Sequence, residues 1–331
     1  MKKLISYLTI CAAALLVCSS CNDEWKEEQY RQVVSFKAPI SDKGYTQINV
    51  RYKKDGKVSY QLPVVVSGST VNNSNLAVHV AVDPDTLRVL NEERFSTSEH
   101  LYYRELDAKH YGFEETVNIP SGESASLLTL NFSLNDLDLV DKWVLPLTIK
   151  DDPSYNYQSN MRKNYRKALL RVLPFNDYSG SYSTTAMKTY FCNENGDTEG
   201  DPLVVNSRTA YVVDENTIFF YAGLTDEELI ERAKYKVFIT FNENKSLTIT
   251  ADNPDINFKL AGDANPVYSI SENMDATRPY LKHRYITLRL MYTFDDVSSA
   301  TVPIHYKVTG SMMLERNINT QIPDEDQAIE W

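Results

Sequence analysis

Carboxylates, five histidines and one cysteine beyond residue 21 are the groups that could do chemistry in this 331-residue chain. Metal-assisted hydrolysis needs clustered ligands. His79, His100, His110, His283 and His305 form no H-E-x-x-H pattern. His100 and His110, near Glu99, Glu105 and Asp107, come closest to a metal cluster, and the plainer reading is a pair of exposed loop histidines. Cys192 has no histidine pattern to pair with and reads as a partly buried structural thiol. Neither a G-x-S-x-G elbow nor a glycine-rich phosphate loop is present. Glycosidic cleavage needs two carboxylates at a set separation. The pairs on offer, Glu114-Glu115, Asp136 with Asp138, Asp151-Asp152 and Asp295-Asp296, mostly sit at turns, where acids bond local backbone. Residues 193–201 are rich in oxygen ligands but lack the EF-hand spacing. The chain is therefore expected to be non-catalytic, with no metal and no cofactor.

Aromatic side chains are the better lead. A sugar ring presents a flat face of C–H groups, so a Tyr or Trp that faces water beside polar groups can stack on it. The candidates for glycan contact are Tyr102 and Tyr103, Tyr155 and Tyr157 in a polar loop, Tyr280 near Arg278 and His283, and Trp331 beside Glu330. Half-buried packing is the competing reading for each. Trp143 opens an apolar run and is expected in the core.

These residues need elements to position them, and the dominant pattern is period-2 alternation. Leu62, Val64 and Val66 share one face, as do Val78, Val80 and Val82, and Leu128, Leu130, Phe132 and Leu134. Turn residues such as Lys54-Asp55-Gly56 and Pro120-Ser121-Gly122 separate the runs. Residues 33–173 thus predict an immunoglobulin-like β-sandwich of about seven strands. An irregular insert spans 86–112, with one or two helical turns at its start. Leu173-Pro174-Phe175-Asn176-Asp177 breaks the pattern and marks a domain boundary. Beyond it, residues 174–331 alternate again, most strictly through Ile286, Leu288, Leu290, Tyr292 and Phe294. About eight antiparallel strands there predict a closed, lipocalin-like β-barrel, with a second sandwich as the alternative. The fold class is all-β. One helix is expected inside the second domain, where Thr225-Asp226-Glu227-Glu228 forms a capping box and Leu229, Ile230 and Ala233 would supply a buried face.

The first residues carry a different message. Lys2 and Lys3 precede an apolar run from Leu4 to Val17, too short for a bilayer span of about 20 residues. Small residues follow, then Cys21. Residues 1–20 read as a lipoprotein signal peptide, Cys21 as the lipidated residue, and 21–32 as a tether. Cys18 stands where a lipobox usually has an aliphatic residue. Removing 1–20 takes away two lysines and no acid, which deepens the net charge from −11 to −13. No basic stripe is present, so nucleic acid is an unsuitable partner. With Cys11 and Cys18 in the signal and Cys21 as the anchor, only Cys192 remains, so no disulfide is expected within the mature fold.

Asn22-Asp23-Glu24 resembles the export signal of Bacteroides-type surface lipoproteins. Val117-Asn118-Ile119-Pro120-Ser121-Gly122, with the run from Trp143 to Ile149, resembles the N-terminal module of lipoproteins from polysaccharide-utilisation loci, which also precedes some family 18 glycosidases. Asn176 to Tyr182, with Tyr285 to Asp296, is similar to the β domain of unknown function that follows it. The resemblance implies a non-catalytic lipoprotein on the outer membrane that faces the cell exterior, captures polysaccharide or oligosaccharide and works beside other glycan-uptake proteins. Two rivals stay open. One is a structural or adhesive protein that binds other proteins through a flat apolar patch. The other is a carrier of a small apolar ligand in a barrel lumen lined by Phe220, Phe238 and Tyr292.

Overall fold

The computed structural model describes residues 30–331 apart from 139, 194, 262–265 and 300–301. The leader and Cys21 lie outside the described residues, as does most of the tether. The architecture is all-β, a two-sheet sandwich followed by a nearly closed barrel.

In the sandwich, β1 (Val33–Phe36), β3 (Lys57–Ser67), β8 (Ala125–Ser133) and β6 (Tyr111–Phe113) form one sheet. The other orders β2 (Thr46–Arg51), β10 (Lys167–Phe175), β9 (Trp143–Ile149), β4 (Leu76–Val82) and β7 (Thr116–Ile119), with β5 (Arg104–Glu105) added against β9. Alternation delivers Leu62, Val64, Val78, Val80, Leu130 and Leu147 to the shared core, all fully buried. Each such side chain contributes about 1.5–3 kcal/mol through burial. Trp143 is only half-buried against this core, and its indole N–H donates to the Asp138 carbonyl at 2.7 Å.

The insert is more ordered than its sequence suggests. Pro84–Phe95 forms a 12-residue helix, α1, with Pro at its first turn. It covers the outer face of the six-stranded sheet, where Leu87 packs with Val144 and Leu169. That second covered face explains why four consecutive residues of β9, Val144 to Leu147, are all buried.

The barrel follows the order β16 (Leu247–Ala251), β15 (Lys236–Phe241), β14 (Thr217–Tyr221), β13 (Ser207–Val212), β11 (Gly180–Cys192), β20 (Ile304–Asn319), β19 (Leu281–Asp296) and β18 (Val267–Met274). Ser246 bridges Val267, and the Leu247 amide donates to the Pro266 carbonyl, which brings the first and last strands together. Three short strands, β12 (Thr198–Leu203), β17 (Lys259–Leu260) and β21 (Ile329–Glu330), pair with β11, β19 and β20. Gly310 sits at φ +137°, opposite a bulge in β11, where a Cβ would collide with the Ala186 carbonyl. Cys192 ends β11 as a buried free thiol.

Two expectations fail here. No α-helix forms at 225–233. Residues 232–235 make a 3₁₀ turn, and Leu229, Ile230 and Ala233 are exposed. Tertiary bonds outcompete the capping box. Arg208 donates to the Gly223 and Thr225 carbonyls, and Glu227 accepts from the Thr209 amide and the Tyr211 hydroxyl. The barrel is also not hollow. Phe220 and Tyr292 point inward, but the cavity beside them is about 20 Å³, room for about one water. Phe238 is on the other face, packed against Phe219 outside the barrel. An eight-stranded barrel is just wide enough for its own side chains to fill.

The domains meet around Asn176 and around Val140. Asn176, 2% exposed, pins the connection between β10 and β11, with its amide donating to Asp214 and Thr217 carbonyls and its side-chain oxygen accepting from the Tyr178 and Ser179 amides. On the other side, Val140 of the sandwich packs on Phe219 and Tyr221 of the barrel.

Candidate functional site

An open groove of about 800 Å³ lies on the sandwich, built by the loop between β9 and β10. The loop is held locally. The Asp152 carboxylate accepts from the Ser154 amide at 2.9 Å and its hydroxyl at 2.7 Å, and both bonds hold the carboxyl below its usual range. Strand β1 clamps the loop, with the Val34 amide donating to the Gln158 carbonyl and the Asn160 amide donating to the Val34 carbonyl, each at 2.8 Å.

Tyr157 is the post of this loop. It is 7% exposed, and its hydroxyl donates to the Lys150 carbonyl at 2.9 Å while accepting from the His79 amide at 3.0 Å. Burial pushes its phenol up to about 12, so it stays protonated in any ordinary buffer. Tyr155 is half-buried and rests on this support, with its ring 4.4 Å from His79 and 5.3 Å from Tyr157. Around it the groove presents Asp151, Asp152, Asn156, Gln158 and Arg166. The surface therefore offers one aromatic ring among acceptors and donors, the pattern that suits a hydroxyl-rich ligand.

The other candidates do not join it. Tyr103 is 4% exposed, because its backbone is bonded in both directions by Asn91 of α1 and its ring packs edge-on to Tyr45 and Phe95. Tyr103 and Tyr157 thus lack the water-facing ring that a sugar-stacking role requires. Tyr102 is half-buried at a cleft of about 100 Å³ between the domains. Tyr280 is half-buried in the turn after β18, and its carbonyl accepts from the Thr320 amide and hydroxyl. Trp331 is 56% exposed, packed edge-on to Phe175 at 4.7 Å with the Arg316 guanidinium 5.1 Å from its ring. Only Tyr155 and Tyr157 come together. Asn156, Gln158 and Arg166 were not singled out in the sequence, although their polar run follows directly on Tyr155.

Among the described residues, no group of three or more His, Cys, Asp or Glu could hold a metal. His110 is buried with its Nδ1 2.8 Å from the Ser133 carbonyl, rather than exposed in a loop. No described helix is long and apolar enough to cross a membrane.

Comparison with known proteins covers 89–92% of the chain. A protein of unknown function from Bacteroides ovatus has a crystal structure 51% identical in sequence, covering 90% of this chain and 100% of its own, with a TM-score of 0.83. The chain belongs to this family of two-domain Bacteroides proteins. Its residues 25–153 match the model of a domain of unknown function, DUF4973, and residues 166–313 match that of a C-terminal domain. A second family member from B. ovatus, described as a multidomain protein including DUF1735, is 49% identical over 92% of this chain and 100% of its own, with a TM-score of 0.82. A third, from B. thetaiotaomicron, is described as an auxiliary nutrient binding protein. It is 41% identical over 89% of this chain and 100% of its own, with a TM-score of 0.80. No curated protein matches.

Proposed function

We propose that this family member binds glycan through the sandwich groove, without catalysis, while anchored by lipid at Cys21 to the outer face of the outer membrane. The observation that carries the reading is Tyr155, half-buried and braced by His79 and Tyr157 above an 800 Å³ groove of amide, carboxylate and guanidinium groups. A relative described as a nutrient binding protein is consistent with capture rather than turnover. The filled barrel argues against the carrier of a small apolar ligand. The adhesive reading draws on exposed apolar residues of the barrel, among them Val267, Ile270 and Met274.

The test is calorimetry of soluble residues 22–331 against neutral plant, fungal and host oligosaccharides. One class should bind, and Tyr155→Ala should weaken it at least tenfold with the fold intact. Failure of every neutral glycan, or binding indifferent to Tyr155→Ala, removes the groove as the site. Acylation at Cys21 is read by mass spectrometry of the full chain expressed with its leader. An unmodified thiol there would refute the anchor.

A further inference from the structure

A second cavity, of about 430 Å³, lies where the end of the barrel meets the sandwich. That volume is within the ~300–1,000 Å³ range of small-ligand sites. Four cations line it, Arg51 from the sandwich and Lys282, Arg284 and Arg316 from the barrel, with the acids Asp177 and Glu325. In a chain with 45 acids against 34 bases, such a concentration of cations calls for a cause.

Their arrangement is electrostatically costly. Arg284 and Arg316 are directly opposite one another on β19 and β20, so their side chains leave the sheet on the same face. Like charges in that position destabilise a sheet. Positions 282 and 284 continue the row of Ile286, Leu288 and Leu290, so the inward row turns from aliphatic to cationic at the barrel end. Acids offset part of this. Arg51 pairs with Asp177 at 2.8 Å and with Asp326, while Lys282 and Arg284 share the single carboxylate of Glu272 at 3.2 and 2.6 Å.

Among the described residues, Arg316 makes no bond to a carboxylate. It is 5% exposed, donates to the Asn176 and Ser179 carbonyls, and lies 5.7 Å and 5.1 Å from the Phe175 and Trp331 ring centres. Burial brings its guanidinium down to about 10. A buried cation held by neutral groups favours an anion within reach. Guanidinium groups bind carboxylates in a planar, bidentate manner.

We propose that this cavity binds the carboxylate of an acidic sugar, a uronate residue, with Lys282, Arg284 and Arg316 as its anion contacts. The carboxylate part rests on the cations alone. The sugar part rests on the glycan-binding reading above.

The test uses residues 22–331 and calorimetry with oligosaccharides of galacturonate, glucuronate and mannuronate, with the same oligosaccharides after carboxyl reduction, and with citrate. At least one uronate should bind, with carboxyl reduction and Lys282→Ala/Arg284→Ala each weakening it tenfold or more. Those two side chains are 26% and 32% exposed, so truncation opens no buried void. Glu272→Gln, which removes the competing carboxylate, should tighten binding severalfold. Tyr155→Ala should leave uronate binding within twofold, so this site and the groove fail separately. Absence of uronate binding, or binding unchanged by carboxyl reduction or by Lys282→Ala/Arg284→Ala, overturns the proposal. Citrate binding as tightly as the sugar overturns the assignment to a saccharide.

Discussion

The sandwich and the barrel spend their interiors in opposite ways. The barrel has the shape associated with a ligand container, yet Phe220, Tyr292, Phe294 and Met312 fill it and leave about 20 Å³. The sandwich buries Leu62, Val64, Val78 and Leu130 between its sheets, while the loop between β9 and β10 opens a groove of about 800 Å³ on its surface. Fold outline therefore misplaces the open space. Inward-facing Phe220 and Tyr292 fill the lumen, whereas Tyr157, bonded to the His79 amide and the Lys150 carbonyl, braces a loop whose polar side stays open.

The sharpest way to break this contrast is to empty the barrel. Phe220→Ala should cost about 3–5 kcal/mol, because a filled core collapses only partly around the void. Chemical denaturation measures it, and a cost under about 1 kcal/mol would mean that the lumen tolerates space. Gly310→Ala comes next. Its left-handed backbone and the Ala186 carbonyl leave no place for a Cβ, so a loss of about 1–3 kcal/mol is expected. A normal unfolding midpoint would show that the β11 bulge relaxes freely. In the sandwich, Tyr157→Phe removes one hydroxyl that serves two backbone groups, His79 N–H and Lys150 C=O. It should cost about 1–3 kcal/mol, whereas Tyr155→Ala, on the open side, should cost less and act on ligand binding instead. If Tyr155→Ala proves the more destabilising of the two, the division into post and contact surface is wrong.

Much of this was legible in the sequence. Alternation through Leu62, Val78 and Leu128 placed the sandwich core, and alternation from Ile286 to Phe294 placed the barrel wall, because each strand buries one face. Two kinds of information were missing. Tyr102 and Tyr103 are neighbours in a loop without periodicity, so only the Asn91 bonds reveal which is buried. Likewise Thr225 to Glu228 satisfies the local rule for a helix start, but Arg208 and Glu227 make bonds to distant backbone that a local rule cannot see. The cationic cavity was hidden for a related reason. Lys282 and Arg284 fall on a strand whose alternation reads as inward and outward, while Arg51 and Arg316 reach the same space from two distant strands.

The smallest effect expected separates the domains by their histidines. In the sandwich, His110 rests on a carbonyl and His79 lies 3.3 Å from the Thr116 hydroxyl. In the barrel, His283 has Asp275 3.1 Å from Nε2 and Glu315 2.9 Å from Nδ1, so both ring nitrogens can donate only as the imidazolium. Asp275 chiefly, with Glu315 and Asn317, raises the His283 pKa above its ordinary value. Asp275 itself is held well below the carboxylate range by the Thr277 hydroxyl and amide, then by His283. For His283 the stabilisation is complete below the unfolded value near ~6.5 and is lost as pH rises through the higher folded value. For Asp275 it is complete above the unfolded value near ~3.9 and is lost as pH falls toward the lower folded one. The turn joining β18 to β19 should therefore be tightest between about pH 4 and 6.5, where both groups are charged in either state. Proton NMR titration of the ring measures it directly. Asp275→Asn should lower the His283 midpoint more than Glu315→Gln, since the larger influence is Asp275. A midpoint unmoved by either change would mean that neither carboxylate holds the ring.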